Sequence, residues 1–128
     1  MNTAKGFTRA AALSLVLVAT SAQAYWLTGM DLKAACDNDT RLEYAECQGY
    51  VEGVFDASSV LRSGSLERRD GMTDYSLRGL RWCLPNEFKL GQATAITDKW
   101  LKAHPETWHL PASLLVARSM QDAFPCPD

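Results

Sequence analysis

Histidine is scarce in this chain of 128 residues: there are two, His104 and His109. A serine or cysteine nucleophile needs a neighbouring base and an orienting acid, so this supply argues against a catalytic triad, and no catalytic residue is expected. Glycine and proline are few, at 8 and 5 against 47% apolar residues. That excludes a collagen-like or disordered chain and leaves core material for one small globular domain. No apolar run spans a bilayer: the stretch AAALSLVLVA at residues 10–19 rises only about 15 Å as a helix, roughly half of a hydrocarbon core. The four cysteines contain no C-x-x-C pair, so a zinc site would need His104 and His109 to converge on widely spaced thiols. No metal or cofactor is expected.

Residues 1–24 carry the marks of a cleaved signal peptide. Lys5 and Arg9 supply the positive start, residues 10–19 the apolar centre, and Ala22-Gln23-Ala24 the small residues that signal peptidase requires. The expected folding unit is residues 25–128, one domain exported to the periplasm and free of the membrane after cleavage. The 13 Lys and Arg less Lys5 and Arg9 leave 11 against 15 acids, a net charge near −4. The electrostatic term that drives nucleic-acid binding is therefore absent.

Cys36, Cys47, Cys83 and Cys126 all lie in the exported part. An even count in a small chain sent to an oxidising compartment argues for two disulfides, and four cysteines allow three pairings that sequence does not separate. The pairing taken forward is Cys36 with Cys47 and Cys83 with Cys126, closing loops worth about 3 and about 4 kcal/mol in chain entropy.

Hydrophobic spacing calls for helices. Thr28 and Asp31, then Thr40 and Glu43, have the layout of capping boxes and open helices at about 29–37 and from Thr40 onward. In the second, Tyr44, Cys47, Val51, Val54, Phe55, Ser58 and Leu61 recur at steps of three and four. Gly49, Gly53 and Ala57 form a second line along it, read as a place where another helix packs closely. Ala93, Ile96, Trp100 and Leu101 line a helix to about Ala103, and a last one runs from Pro111 to about residue 124. Between them, Asp74 to Leu80 is expected to add one helical turn. The fold class expected is all-α: a compact bundle of four to five helices stapled by two disulfides. The acids Glu43, Glu46, Glu52 and Asp56 read as a solvated helix face, because no E-x-x-H accompanies them. Trp100 is expected in the core and Trp108 at the surface.

Cys36, Cys47-Gln48-Gly49-Tyr50 with Gly53, Cys83-Leu84-Pro85, Leu90-Gly91-Gln92, Leu101, His104-Pro105-Glu106, Leu110-Pro111-Ala112 and Ala123-Phe124-Pro125-Cys126 follow one another through nearly all of the exported part. In this order, after a signal peptide, they resemble the Rap/Tai immunity proteins. The resemblance implies a compact helical, disulfide-bonded periplasmic protein, often a homodimer, that binds a type VI secretion peptidoglycan amidase effector and occludes its cleft with a protruding loop. Occlusion needs no chemistry from the inhibitor.

This chain departs from the family between Arg62 and Arg81, a stretch longer and richer in arginine. Long and polar, it is the expected docking element, with Arg62, Glu67, Arg68, Arg69, Asp70 and Tyr75 as contact residues and Trp108 beside them. The rival class is a periplasmic stress or acid chaperone that exposes apolar surface at low pH. Two histidines are few for a sharp switch.

Overall fold

The computed structural model describes residues 27–37, 40–60, 68–69 and 71–127; for Val60, Arg68 and Arg69 it describes the backbone alone. The expected signal peptide lies outside the described residues. Four α-helices appear in chain order, α1 (Gly29–Cys36), α2 (Arg41–Val60), α3 (Leu90–Ala103) and α4 (Ala112–Ala123), with a 3-10 turn at Pro105–Thr107. Between α2 and α3 lie three strands, β1 (Arg68–Arg69), β2 (Met72–Leu77) and β3 (Leu80–Pro85), in one antiparallel sheet of order β1-β2-β3.

The sheet corrects the all-α expectation, and with it the helical turn expected at Asp74 to Leu80. Register pairs Thr73 with Leu84, Tyr75 with Trp82 and Leu77 with Leu80. Paired residues point to the same side of an antiparallel ladder, so the larger apolar side chains of both strands share one face at a period of two, not 3.6. Arg78 and Gly79 turn the chain with φ of 51° and 83°. Two successive positive φ values make the tight reversal that suits the twist of a hairpin, and a helical turn cannot accommodate them.

The apolar face of the hairpin rests on α2. Phe55 meets Tyr75 edge-on at 5.4 Å and Trp82 at 5.8 Å between ring centres, and Tyr75 stacks on Trp82. Trp82 is wholly buried. On the opposite face Cys83 is bonded to Cys126 in the tail after α4, and the Cys83 N–H donates to the Phe124 carbonyl at 3.0 Å.

α1 begins as its sequence predicts. The Thr28 N–H donates to Asp31 Oδ2 at 2.9 Å, and the Asp31 N–H points back at Thr28 Oγ1 at 3.4 Å. The same end is strapped to the segment before α4: the Gly29 N–H donates to the Leu110 carbonyl at 2.9 Å and the Ala112 N–H to the Leu27 carbonyl at 2.8 Å. Core residues come from every helix and from β3, with Leu32, Val51, Leu101, Leu115, Val116 and Met120 fully buried. Inside that core the Thr97 and Ser119 hydroxyls bond to each other at 3.1 Å, fixing α3 against α4.

Both disulfides join Cys36 to Cys47 and Cys83 to Cys126, the pairing taken forward from the sequence. The first ties the end of α1 to the second turn of α2, and the second ties the C-terminal tail to β3. No described helix is long and apolar enough to cross a membrane.

Candidate functional site

Of the docking segment expected at Arg62 to Arg81, the described residues form β1, β2, the turn after it and the start of β3. Arg62, Glu67 and Asp70 lie outside the described residues. Arg68 and Arg69 form β1, opposite Thr73 and Met72 respectively. Register places Asp74, Ser76, Arg81 and Cys83 on one side of the β2–β3 ladder, facing away from α2. Arg78, at the turn, and Arg81 are exposed.

Charge is unevenly shared between this segment and the rest. Arg62 to Arg81 holds five arginines and three acids, whereas the remainder of residues 25–128 holds six Lys and Arg against twelve acids. An acidic chain thus carries a basic segment, and an uneven charge distribution of this kind can steer a charged partner during approach.

The hairpin is held firmly at its base. Asp74 Oδ2 accepts from the Arg81 guanidinium at 3.0 Å, and Asp74 Oδ1 lies against both sulfurs of the Cys83–Cys126 bond. The sequence puts Asp74 and Arg78 in an expected helical turn and marks neither as a contact residue. Alternation at every second residue on both sides of Arg78-Gly79 was the available signal for the hairpin, and it would have set Asp74 opposite Cys83.

The two aromatic candidates are not brought together. Tyr75 is half-buried in the Phe55–Trp82 cluster, and burial holds its hydroxyl above the usual tyrosine pKa. Trp108, expected at the surface, is half-buried at the other side of the core: its Nε1–H donates to the Leu101 carbonyl at 2.8 Å, and Lys33 Nζ stands 5.0 Å from the ring centre. Both side chains help to hold the scaffold.

Two hollows open elsewhere. One, of about 350 Å³ between α3 and α4, is lined by Ile96, Trp100, Ala103, His104 and Asp122 among others. There the His104 ring stacks on Trp100 at 4.0 Å with Nδ1 2.8 Å from the Trp100 carbonyl, while the Trp100 Nε1–H donates to Asp122. Ser119 lines the same hollow, but its hydroxyl donates to the Val116 carbonyl and meets Thr97. The second hollow, about 470 Å³, is lined by Pro85, Asn86, Glu87, Phe88, Gln92 and Phe124. His109 is exposed, and no described cysteine is a free thiol.

A charged chain links α1 to α3. Asp37 pairs with Lys33 one turn earlier and with Lys102 Nζ at 2.9 Å, and Lys102 also reaches Asp98 at 2.7 Å. The two lysines, Lys33 foremost, hold the Asp37 carboxyl below the usual range. Asp98 and Asp37 hold the Lys102 ammonium above its usual value.

Compared with known proteins, residues 28–126 match the family model of the Rap1a immunity proteins. No curated protein and no solved structure matches the chain.

Proposed function

The chain belongs to the Rap1a immunity proteins, and from that membership we propose that it is a periplasmic protein that binds a type VI secretion peptidoglycan amidase effector and covers its cleft. The observation that carries the reading is the family match across nearly the whole exported part. Immunity by occlusion asks for a rigid body with a projecting, chemically passive surface. Two disulfides and a hairpin pinned at its base supply one, and bonds of this kind accord with an extracytoplasmic location.

We assign docking to the arginine-rich segment. Arg62, Arg68, Arg69 and Arg78 present positive charge, Glu67 and Asp70 add acceptors, and Arg81 is already oriented by Asp74. Tyr75 supports the surface from within, whereas Trp108, at the other side of the core, has no part in it. Export through a cleaved residue 1–24 segment and a homodimer belong to the same proposal.

The decisive test uses a type VI secretion peptidoglycan amidase effector, sought first in the reading frame beside this one. Co-expression should prevent lysis when residues 1–24 are retained and fail when they are removed, because effector and inhibitor then occupy different compartments. Protection by the leaderless form would refute the periplasmic reading. Sedimentation of the exported protein tests the dimer.

A further inference from the structure

We propose that Asp74, Cys83 and Cys126, once the disulfide between the two cysteines is reduced, form a site for a thiophilic divalent cation, zinc above all. Metal and disulfide would then be alternative fastenings of the C-terminal tail to the sheet.

The geometry is nearly complete in the oxidised molecule. Asp74 and Cys83 are register partners on the face of the hairpin turned away from α2. Asp74 Oδ1 lies 3.5 Å from Cys83 Sγ and 3.4 Å from Cys126 Sγ. Neither sulfur carries a proton while bonded to the other, so these are contacts and not hydrogen bonds. In a tetrahedral zinc site, with Zn–S about 2.3 Å and Zn–O about 2.0 Å, the sulfur–oxygen edge is about 3.5 Å long. Two of the three edges of the ligand triangle therefore already have the required length.

The third edge, between the sulfurs, must open from a covalent bond to about 3.8 Å. Cys83 is fixed in β3, but Cys126 lies past α4 in a stretch with no helix or strand, so the adjustment falls on the tail. The Cys83 N–H bond to Phe124 keeps that tail close. Arg81 grips Asp74 Oδ2 while Oδ1 faces the sulfurs, and Arg81 is an outer partner of the kind that orients ligating carboxylates. Among the described residues no other group of three such side chains converges in this way.

The chemistry balances with an external dithiol as reductant. Its two thiols become a disulfide, its two electrons cleave the Cys83–Cys126 bond, and both protein sulfurs become thiols. The cation then displaces both thiol protons to solvent, leaving two thiolates, one carboxylate and a position for water around the metal. Two thiolates select soft or borderline ions over magnesium or calcium.

The test reduces the full exported protein anaerobically with dithiothreitol, removes the reductant and titrates with Co²⁺, then Zn²⁺. One equivalent of Co²⁺ should develop thiolate charge-transfer absorption that Zn²⁺ abolishes. Alkylation followed by mass spectrometry should find Cys83 and Cys126 protected and Cys36 and Cys47 modified, a readout that needs no variant. Asp74→Asn should weaken Zn²⁺ binding at least about tenfold while the oxidised variant keeps both disulfides. Absence of the absorption, protection of Cys36 and Cys47 instead, or unchanged Zn²⁺ affinity in D74N would overturn the proposal.

Discussion

Gly29 lies against the backbone of Trp108, whose Cα and carbonyl oxygen would stand 3.1 and 3.2 Å from any Cβ placed at Gly29, with Leu115 Cδ1 closer still. The first turn of α1 is strapped there by backbone hydrogen bonds to both Trp108 and Leu110, so neither side has room to retreat. Gly29→Ala should therefore destabilise the protein by about 1–3 kcal/mol, the usual penalty for overpacking. Urea unfolding of the oxidised protein checks this; an unchanged midpoint would show that the strap yields.

The helices were legible because each buries one stripe: Leu32 and Cys36, then Cys47, Val51, Val54 and Phe55, fall at steps of three and four. The capping pair Thr28 and Asp31 marked a boundary to the residue. The hairpin is hard to read from sequence because Asp74, Ser76 and Arg81 interrupt the apolar residues, and a polar, arginine-rich composition masks the alternation beneath it. Trp82, Cys83 and Leu84 are all buried, since α2 covers one face of β3 and the disulfide-held tail the other. A strand covered on both sides loses the simple inward–outward pattern. The candidate site was legible as a segment but not as a surface, because no sequence pattern states which arginines the sheet turns outward.

The spacing of Gly49 and Gly53 predicts room for a packed helix, yet a Cβ at either would meet no atom within 4 Å. Both positions are exposed on α2. In an isolated protomer, alanine at each should raise stability by up to about 1 kcal/mol, since Ala restricts the unfolded chain and favours the helix. Thermal unfolding of G49A and G53A measures the sign. A loss that grows with protein concentration would place this face in the proposed homodimer.

The Asp37 carboxyl is held below its usual range by Lys33 and then Lys102. A group with a depressed folded pKa contributes stability above its unfolded value, and the contribution is lost as pH falls through the folded one. Asp37→Asn should cost a small amount at neutral pH, small because the group is largely open to solvent. The difference from the unsubstituted protein should begin to shrink near the ordinary carboxylate pKa of 3.8 and vanish only once pH has fallen through the lower folded value. Parallel urea titrations at neutral and acid pH decide it; a gap that persists in acid would mean that Asp37 acts through packing.

Removing the disulfides one at a time should separate their roles. The separations of 11 and 43 residues correspond to losses of about 3 and about 4 kcal/mol for C36S/C47S and C83S/C126S. Only the second should release the C-terminal tail, seen as fast hydrogen exchange at the Cys83 amide that now donates to Phe124. Equal protection of that amide in both variants would show that the sheet holds the tail without the bond.

Electrostatic steering gives the docking proposal a signature that contact area alone lacks. If the basic hairpin leads the approach, charges at its rim act on association more than on the lifetime of the complex. Arg78 sits at the tip with φ of 51° and is exposed, so its replacement disturbs little of the core. Arg78→Glu, and separately Arg68→Ala with Arg69→Ala, should slow association with the proposed amidase effector several-fold at low ionic strength. At about 1 M salt, where the Debye length falls to about 3 Å, the variants and the unsubstituted protein should converge. Stopped-flow binding with purified components measures both limbs. Identical rates at low salt would move the docking surface off the hairpin while leaving the family assignment untouched, whereas a deficit that persists at high salt would mean that these arginines make short-range contacts and do not steer.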